Sequence, residues 1–106
     1  MTLFEKIIAR QIPANIVHED DDVIAFRDIT PQAPTHVLVV PKKPIPMLAD
    51  ATEADAALLG KCLVVAAKVA KADGLVGYRV VLNNGAEAGQ SVFHIHFHVL
   101  GGRRMS

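Results

Sequence analysis

Alternation constrains this chain more than any other property it has. Residues 90–101 read Q-S-V-F-H-I-H-F-H-V-L-G, with His94, His96 and His98 at every second position and Phe93, Ile95, Phe97 and Val99 interleaved. Successive side chains of an extended strand point to opposite faces, so the spacing predicts three imidazoles on one face and four apolar side chains on the other. The apolar face calls for a covering layer, and the other is expected to carry chemistry. A half-buried strand with polar residues outside accounts for the alternation, but not for histidine at each polar position. Histidine is the one side chain whose ordinary pKa lies near neutrality.

The rest of the chain is consistent with one compact unit around such a strand. Its 106 residues suffice for a single core without disulfide or metal staples, and 51% of them are apolar. Lys plus Arg and Asp plus Glu balance at 11 each, leaving no basic field to attract a polymeric nucleic acid or an anionic membrane. No apolar run approaches transmembrane length. The N-terminal M-T-L-F-E-K-I-I has charges within its apolar pattern and no small-residue cleavage site, unlike a secretory signal. The lone Cys62 cannot form an internal disulfide, and a reducing, cytoplasmic location is expected.

Leu3, Phe4, Ile7 and Ile8 recur at helical spacing and stop before Pro13, predicting a short first helix. Strands are expected over Asn15–His18 and Val23–Arg27, joined by the acidic turn Glu19–Asp22, and a buried strand over Thr35–Val40, ended by Pro41. Thr52 with Asp55 three residues later resembles a helix start, and a long helix should run to about Ala72. On that helix Leu58, Cys62, Val65 and Val69 form one apolar stripe and Leu59, Leu63, Ala66 and Ala70 a second. That breadth suits either a deeply sunk helix or one shared with another subunit. Tyr78–Asn83 reads as a strand, and the Gly-containing loop 84–90 leads into the histidines. The order predicts an α+β fold: an antiparallel sheet of about five strands with one long and one short helix, the long one covering a face.

Alternate strand positions lie about 6.6 to 6.8 Å apart, close enough for imidazoles to converge on one atom. Two chemistries fit. Three histidines can hold zinc with an open position for water. Alternatively, a neutral imidazole attacks phosphorus while its neighbours donate to phosphate oxygens or the leaving group. The backbone of Gly89-Gln90-Ser91, with the Ser91 hydroxyl, is a candidate anion cradle in front of the strand.

The run His94-Ile95-His96-Phe97-His98-Val99-Leu100 resembles the histidine triad pattern of the HIT nucleotide-binding superfamily. Gly101-Gly102-Arg103, the segment Asp28–His36 and Val40-Pro41-Lys42-Lys43 are similar to its Hint branch, and the likeness extends from about Leu3 to Met105. The resemblance implies a single HIT domain over residues 1–106, with the sheet continued across a homodimer. It implies hydrolysis of purine nucleoside 5'-phosphoramidates, with AMP or GMP as the nucleotide and neither cofactor nor metal. His96 would be the nucleophile; His94, His98, His36 and Ser91 would support it. Asp28 would take the ribose hydroxyls, Phe4, Ile7, Phe26 and Ile29 would surround the base, and Asn83, Gly89, Gln90 and Ser91 would meet phosphate. Many such chains continue well past Gly-Gly-Arg with a tail that shapes the site; here three residues follow Arg103, so the leaving amine is not specified. Two other readings remain open at this level: an AMP-binding or scaffold dimer with incidental turnover, and a zinc-dependent hydrolase.

Overall fold

A computed structural model describes all 106 residues. Helix α1 spans Leu3–Ile8, followed by β1 (Ile16–Glu19), β2 (Val23–Arg27), β3 (Thr35–Pro41), helix α2 (Ala56–Ala72), β4 (Tyr78–Val81) and β5 (Phe97–Gly101). The strands form one sheet in the order β1-β2-β3-β5-β4, each neighbouring pair antiparallel. No helix is long and apolar enough to cross a membrane.

Each helix begins where its capping residues dictate. Thr2 and Glu5 form a reciprocal capping box at α1, and Thr52 with Asp55 forms another at the short 3-10 turn Glu53–Asp55 leading into α2. Lys43 donates to the same Asp55 carboxylate, tying the loop after β3 to the start of α2. The acidic run is a hairpin turn: Asp20 Oδ1 accepts from the N–H groups of Asp22 and Val23 at 2.8 and 2.9 Å. Lys61 of α2 then reaches Asp20 and Asp22 at 3.1 and 2.9 Å.

All seven residues of β3 are buried, and their alternation separates two cores. Val37 and Val39 join Val23, Ala25, Phe97 and Val99 beneath the α2 residues Cys62, Val65, Ala66, Val69 and Ala70. Leu38 and Val40 face the other way and join Ile24 and Phe26 beneath Phe4 and Ile7 of α1. The sheet is therefore covered on both faces, by α2 on one and by the short α1 on part of the other, where the chain pattern alone suggested a single covered face. Burial pushes the Cys62 thiol up to about 12, so it packs as an apolar group.

Two strands are shorter than their residue types suggest. The β3–β5 ladder stops at Val39↔Phe97, and two residues further Ile95 would face Pro41, which has no N–H to donate. The backbone turns instead, and Ile95 N–H donates to Ile45 O at 2.7 Å. His94 and His96 consequently precede β5 rather than lying within it, and Phe93 is exposed instead of sharing the core with Ile95, Phe97 and Val99. The same departure ends β4 at Val81, since position 83 would have paired with His96.

Ile24, without exposed surface, is the floor of the α1-side core. Ile24→Ala is expected to cost about 2 to 5 kcal/mol, read as a lower denaturant midpoint with an unchanged slope.

Candidate active site

The α1 side of the sheet carries a cleft of about 240 Å³, lined among others by Phe4, Ile7, Phe26, Asp28, Ser91, His96 and His98. Strand register explains the gathering. His98 pairs with Leu38 on β5 and β3, and His36 lies two residues before Leu38, so both histidines emerge on the face opposite α2. Asp28 follows the last residue of β2, and its N–H donates to His36 O at 2.9 Å. Its carboxylate accepts from Thr30 N–H at 2.8 Å, an Asx turn that leaves the second oxygen 3.5 Å from His36 Nε2.

Backbone groups decide where the imidazole protons sit, because a backbone N–H can only donate and a carbonyl can only accept. Gln32 N–H meets His36 Nδ1 at 3.0 Å, so neutral His36 carries its proton on Nε2. That nitrogen is 2.9 Å from His98 Nδ1 and donates to it, leaving the His98 proton on Nε2. His96 Nδ1 donates to His94 O at 2.8 Å, so its Nε2 keeps a free lone pair. His94 Nε2 donates to Pro41 O at 2.6 Å, and its Nδ1 is buried without a hydrogen-bond partner. His94 thus fastens the turn before β5 to the end of β3 and presents its carbonyl, rather than its ring, to His96.

The rings pack closely. Phe4 meets His96 edge-on at 4.8 Å between centroids, while His96 lies 5.0 Å from His98 and His36 5.2 Å from His98. Burial holds His96 below the usual imidazole range, and burial, then the neighbouring His96 and His36, pushes His98 down to about 4. Both are therefore neutral at pH 7. The pair offers one lone pair and one N–H donor side by side, suited to nucleophilic attack with stabilisation of the oxygen that gains charge.

Several anticipated residues lie elsewhere. Gly89 and Gln90 do not form an anion cradle: their N–H groups donate to Ala86 O and Gly85 O within their own loop. The Gln90 side chain is also engaged, accepting from Gly85 N–H and donating to the carbonyls of Pro46 and Val92. The N–H groups of Ser91 and Val92, which follow, have no protein acceptor, and both residues line the cleft. Asn83 does not line it, and Ile29 lines it with 94% of its surface exposed. Ile12, Pro13 and Leu38 also line the cleft. Leu38 carried a signal, two positions after His36 on the same strand; Ile12 and Pro13, in an aperiodic connection, carried none.

Asp28, His36 and His98 offer ligand atoms within 4.8 Å of one another, a two-histidine, one-carboxylate grouping. For His36 to ligate through Nε2 its proton would have to move to Nδ1, where it would confront the Gln32 N–H. The tautomer set therefore opposes a metal at this point.

A model of the HIT domain matches residues 9–105. The chain is 59% identical over 107 residues to an uncharacterised HIT-like protein of Synechocystis sp., covering 99% of this chain and 93% of that one. It is 50% identical over 104 residues to the purine nucleoside phosphoramidase of Escherichia coli, covering 96% and 87%. The solved structure of a HIT family hydrolase from Legionella pneumophila superposes with a TM-score of 0.98 at 50% identity, covering all of this chain and 96% of that one.

Because His98 is held down to about 4 against an ordinary 6.5, the unfolded chain takes up a proton in that interval that the folded chain refuses. Folding stability is expected to fall as pH drops from about 6.5 towards 4 through this group. The His98 ring resonances, followed by NMR, should titrate near pH 4; a midpoint at or above 6.5 would contradict the burial argument.

Proposed function

This chain belongs to the HIT domain family and is a hydrolase of that family, and on that footing we propose that it cleaves the P–N bond of purine nucleoside 5'-phosphoramidates through a nucleotidyl intermediate on His96. The observation carrying the proposal is the bare Nε2 of neutral His96 at the cleft, its proton held on Nδ1 by the His94 carbonyl. The lone pair attacks phosphorus, the P–N bond breaks with its electrons leaving on the amine, and the departing amine takes up a proton from solvent water. The phosphorylated ring is then a cation whose Nδ1–H still meets His94 O. A hydrogen bond from a charged donor is stronger than one from a neutral donor, so this contact favours the intermediate over the resting state. Water attacks the same phosphorus in the second step and returns His96 to its neutral form.

The neighbouring groups suit the remaining parts of such a substrate. His98 Nε2–H is a donor for a phosphate oxygen, with the Ser91 hydroxyl and the Ser91 and Val92 N–H groups as further donors. The Asp28 carboxylate can accept hydrogen bonds from both ribose hydroxyls at once, which supports a ribose-binding role. Phe4, Ile7, Phe26 and Ile29 offer apolar surface to a purine such as that of AMP or GMP. A zinc-dependent route is less well supported, because His36 and His98 hold their protons in the arrangement that opposes ligation. The single buried thiol fits a cytoplasmic, reducing setting.

A homodimer accompanies this proposal. On α2, Gly60, Leu63, Val64 and Ala67 are exposed, and on β4 Tyr78 and Val80 lie on the α2 face of the sheet with no helix over them. β4 is also an edge strand with a free ladder, so a second copy can continue the sheet and cover this strip. Leu63→Glu is expected to turn a dimer into a monomer in sedimentation velocity; a monomeric unsubstituted protein would refute the assembly.

The direct test is AMP release from adenosine 5'-phosphoramidate in the presence of a chelator. The protein should turn over, and His96→Ala should abolish turnover while AMP affinity stays within about tenfold, since His96 supplies one contact among several. Two inversions imply overall retention at phosphorus, so inverted product from chirally labelled substrate would exclude the covalent route. A protein that binds AMP without turnover would instead be a nucleotide-binding scaffold.

A further inference from the structure

The Gly101-Gly102-Arg103 segment follows the last histidine and has no part in the chemistry above. We propose that Arg103 is a positioning residue, holding His36 and His98 in their working tautomers by clamping Gln32. The Arg103 guanidinium donates through Nε and Nη2 to Gln32 O at 3.2 and 3.1 Å, and through Nη1 to Arg104 O at 3.1 Å. The N–H of the same Gln32 donates to His36 Nδ1. Gln32 is thus held from both sides, by the tail on its carbonyl and by the triad's supporting histidine on its amide.

The two glycines make the clamp geometrically accessible. β5 ends with Gly101 paired to Thr35, where the loop from Asp28 enters β3, so the residues after Gly101 run alongside that loop. A Cβ on Gly101 would come within 2.6 Å of Leu75 Cδ1. Gly102 has a φ of +89°, and a Cβ there would lie 2.9 Å from Pro34 Cβ. Only a chain without side chains at these two positions lies this close to Leu75 and Pro34, and that proximity sets Arg103 beside Gln32.

Loosening the clamp has a defined chemical consequence. Once Gln32 N–H can leave His36 Nδ1, neutral His36 can carry its proton there and keep a bare Nε2. His98 must then place its own proton on Nδ1 to preserve their hydrogen bond, and its Nε2 loses the proton. The cleft would then offer a second lone pair where a phosphate oxygen requires a donor. Binding of base and ribose uses other groups and should change little, so the loss should fall on kcat.

Two measurements on purified full-length variants test this. Imidazole nitrogen shifts from long-range proton–nitrogen NMR, taken without substrate, should show bare Nδ1 atoms on His36 and His98 in the unsubstituted protein. Both should move towards the protonated shift in Arg103→Ala. Turnover of adenosine 5'-phosphoramidate by that variant should show kcat lowered about five- to tenfold with KM within about threefold, the size of one weakened hydrogen bond. Arg103→Lys keeps one donor and should recover most of the loss, whereas Arg104→Ala should behave as the unsubstituted protein. Arg103→Met, which keeps the aliphatic stem without a donor, gives the same reading should the alanine variant not fold. Unmoved His36 and His98 nitrogens in the donor-less variants overturn the proposal, whatever the rate does, and so does an Arg104→Ala variant with the same defect. The kinetic arm rests on the phosphoramidase reading and the nitrogen shifts do not. Moved shifts in a protein that never releases AMP would support the clamp and count against the function alone.

Discussion

The pairing of β3 with its neighbours governs the rest of the structure. Every residue of this strand is buried, and its alternation assigns Val37 and Val39 to the α2 core and His36, Leu38 and Val40 to the α1 side. Register is unforgiving here, because a slip of β3 by one residue would exchange its two sets and bury His36 under α2, away from His98. The aliphatic side chains beneath α2 thus do more than stabilise the sheet. By occupying one face completely, they oblige the histidines to emerge together on the other.

Within the site, backbone groups act on the imidazoles more than side chains do. The carbonyl of His94, the carbonyl of Pro41 and the amide of Gln32 each meet a ring nitrogen, and together they select one tautomer for each histidine. A peptide group cannot change its role with pH, so it fixes a tautomer more firmly than a titratable partner could. Burial assists by holding His96 and His98 neutral at pH 7. A bare ring nitrogen and an adjacent N–H donor are therefore in place before any substrate arrives, which lowers the reorganisation that the proposed reaction requires.

Much of this was legible in the residues. The apolar spacing of Leu3, Phe4, Ile7 and Ile8 marked the first helix and Thr52 with Asp55 the start of the long one, the acidic run marked the first hairpin, and period-two alternation assigned Phe97 and Val99 to the core. The end of the β3–β5 ladder was less visible. Pro41 was recognised as the end of its own strand, but its effect on residues 94–96, more than fifty positions away, follows only when the two strands are in register. The phosphate loop misled for a related reason. Glycine marks a flexible backbone, yet which N–H groups stay free depends on where the loop folds back, and those of Gly89 and Gln90 are turned inwards.

By itself the sequence determined the elements, the two-sided character of the strands and the identity of the histidine cluster, because periodicity, capping and residue chemistry are local properties of the chain. Tertiary structure alone decided which imidazole nitrogen is bare, which loop amides remain free and which residue braces His36. Those outcomes depend on contacts between segments remote in the chain: Gln32 with Arg103, His94 with Pro41, His36 with His98. A proton's position on a ring is set by the donor or acceptor facing it, and that neighbour is known only once the sheet has closed.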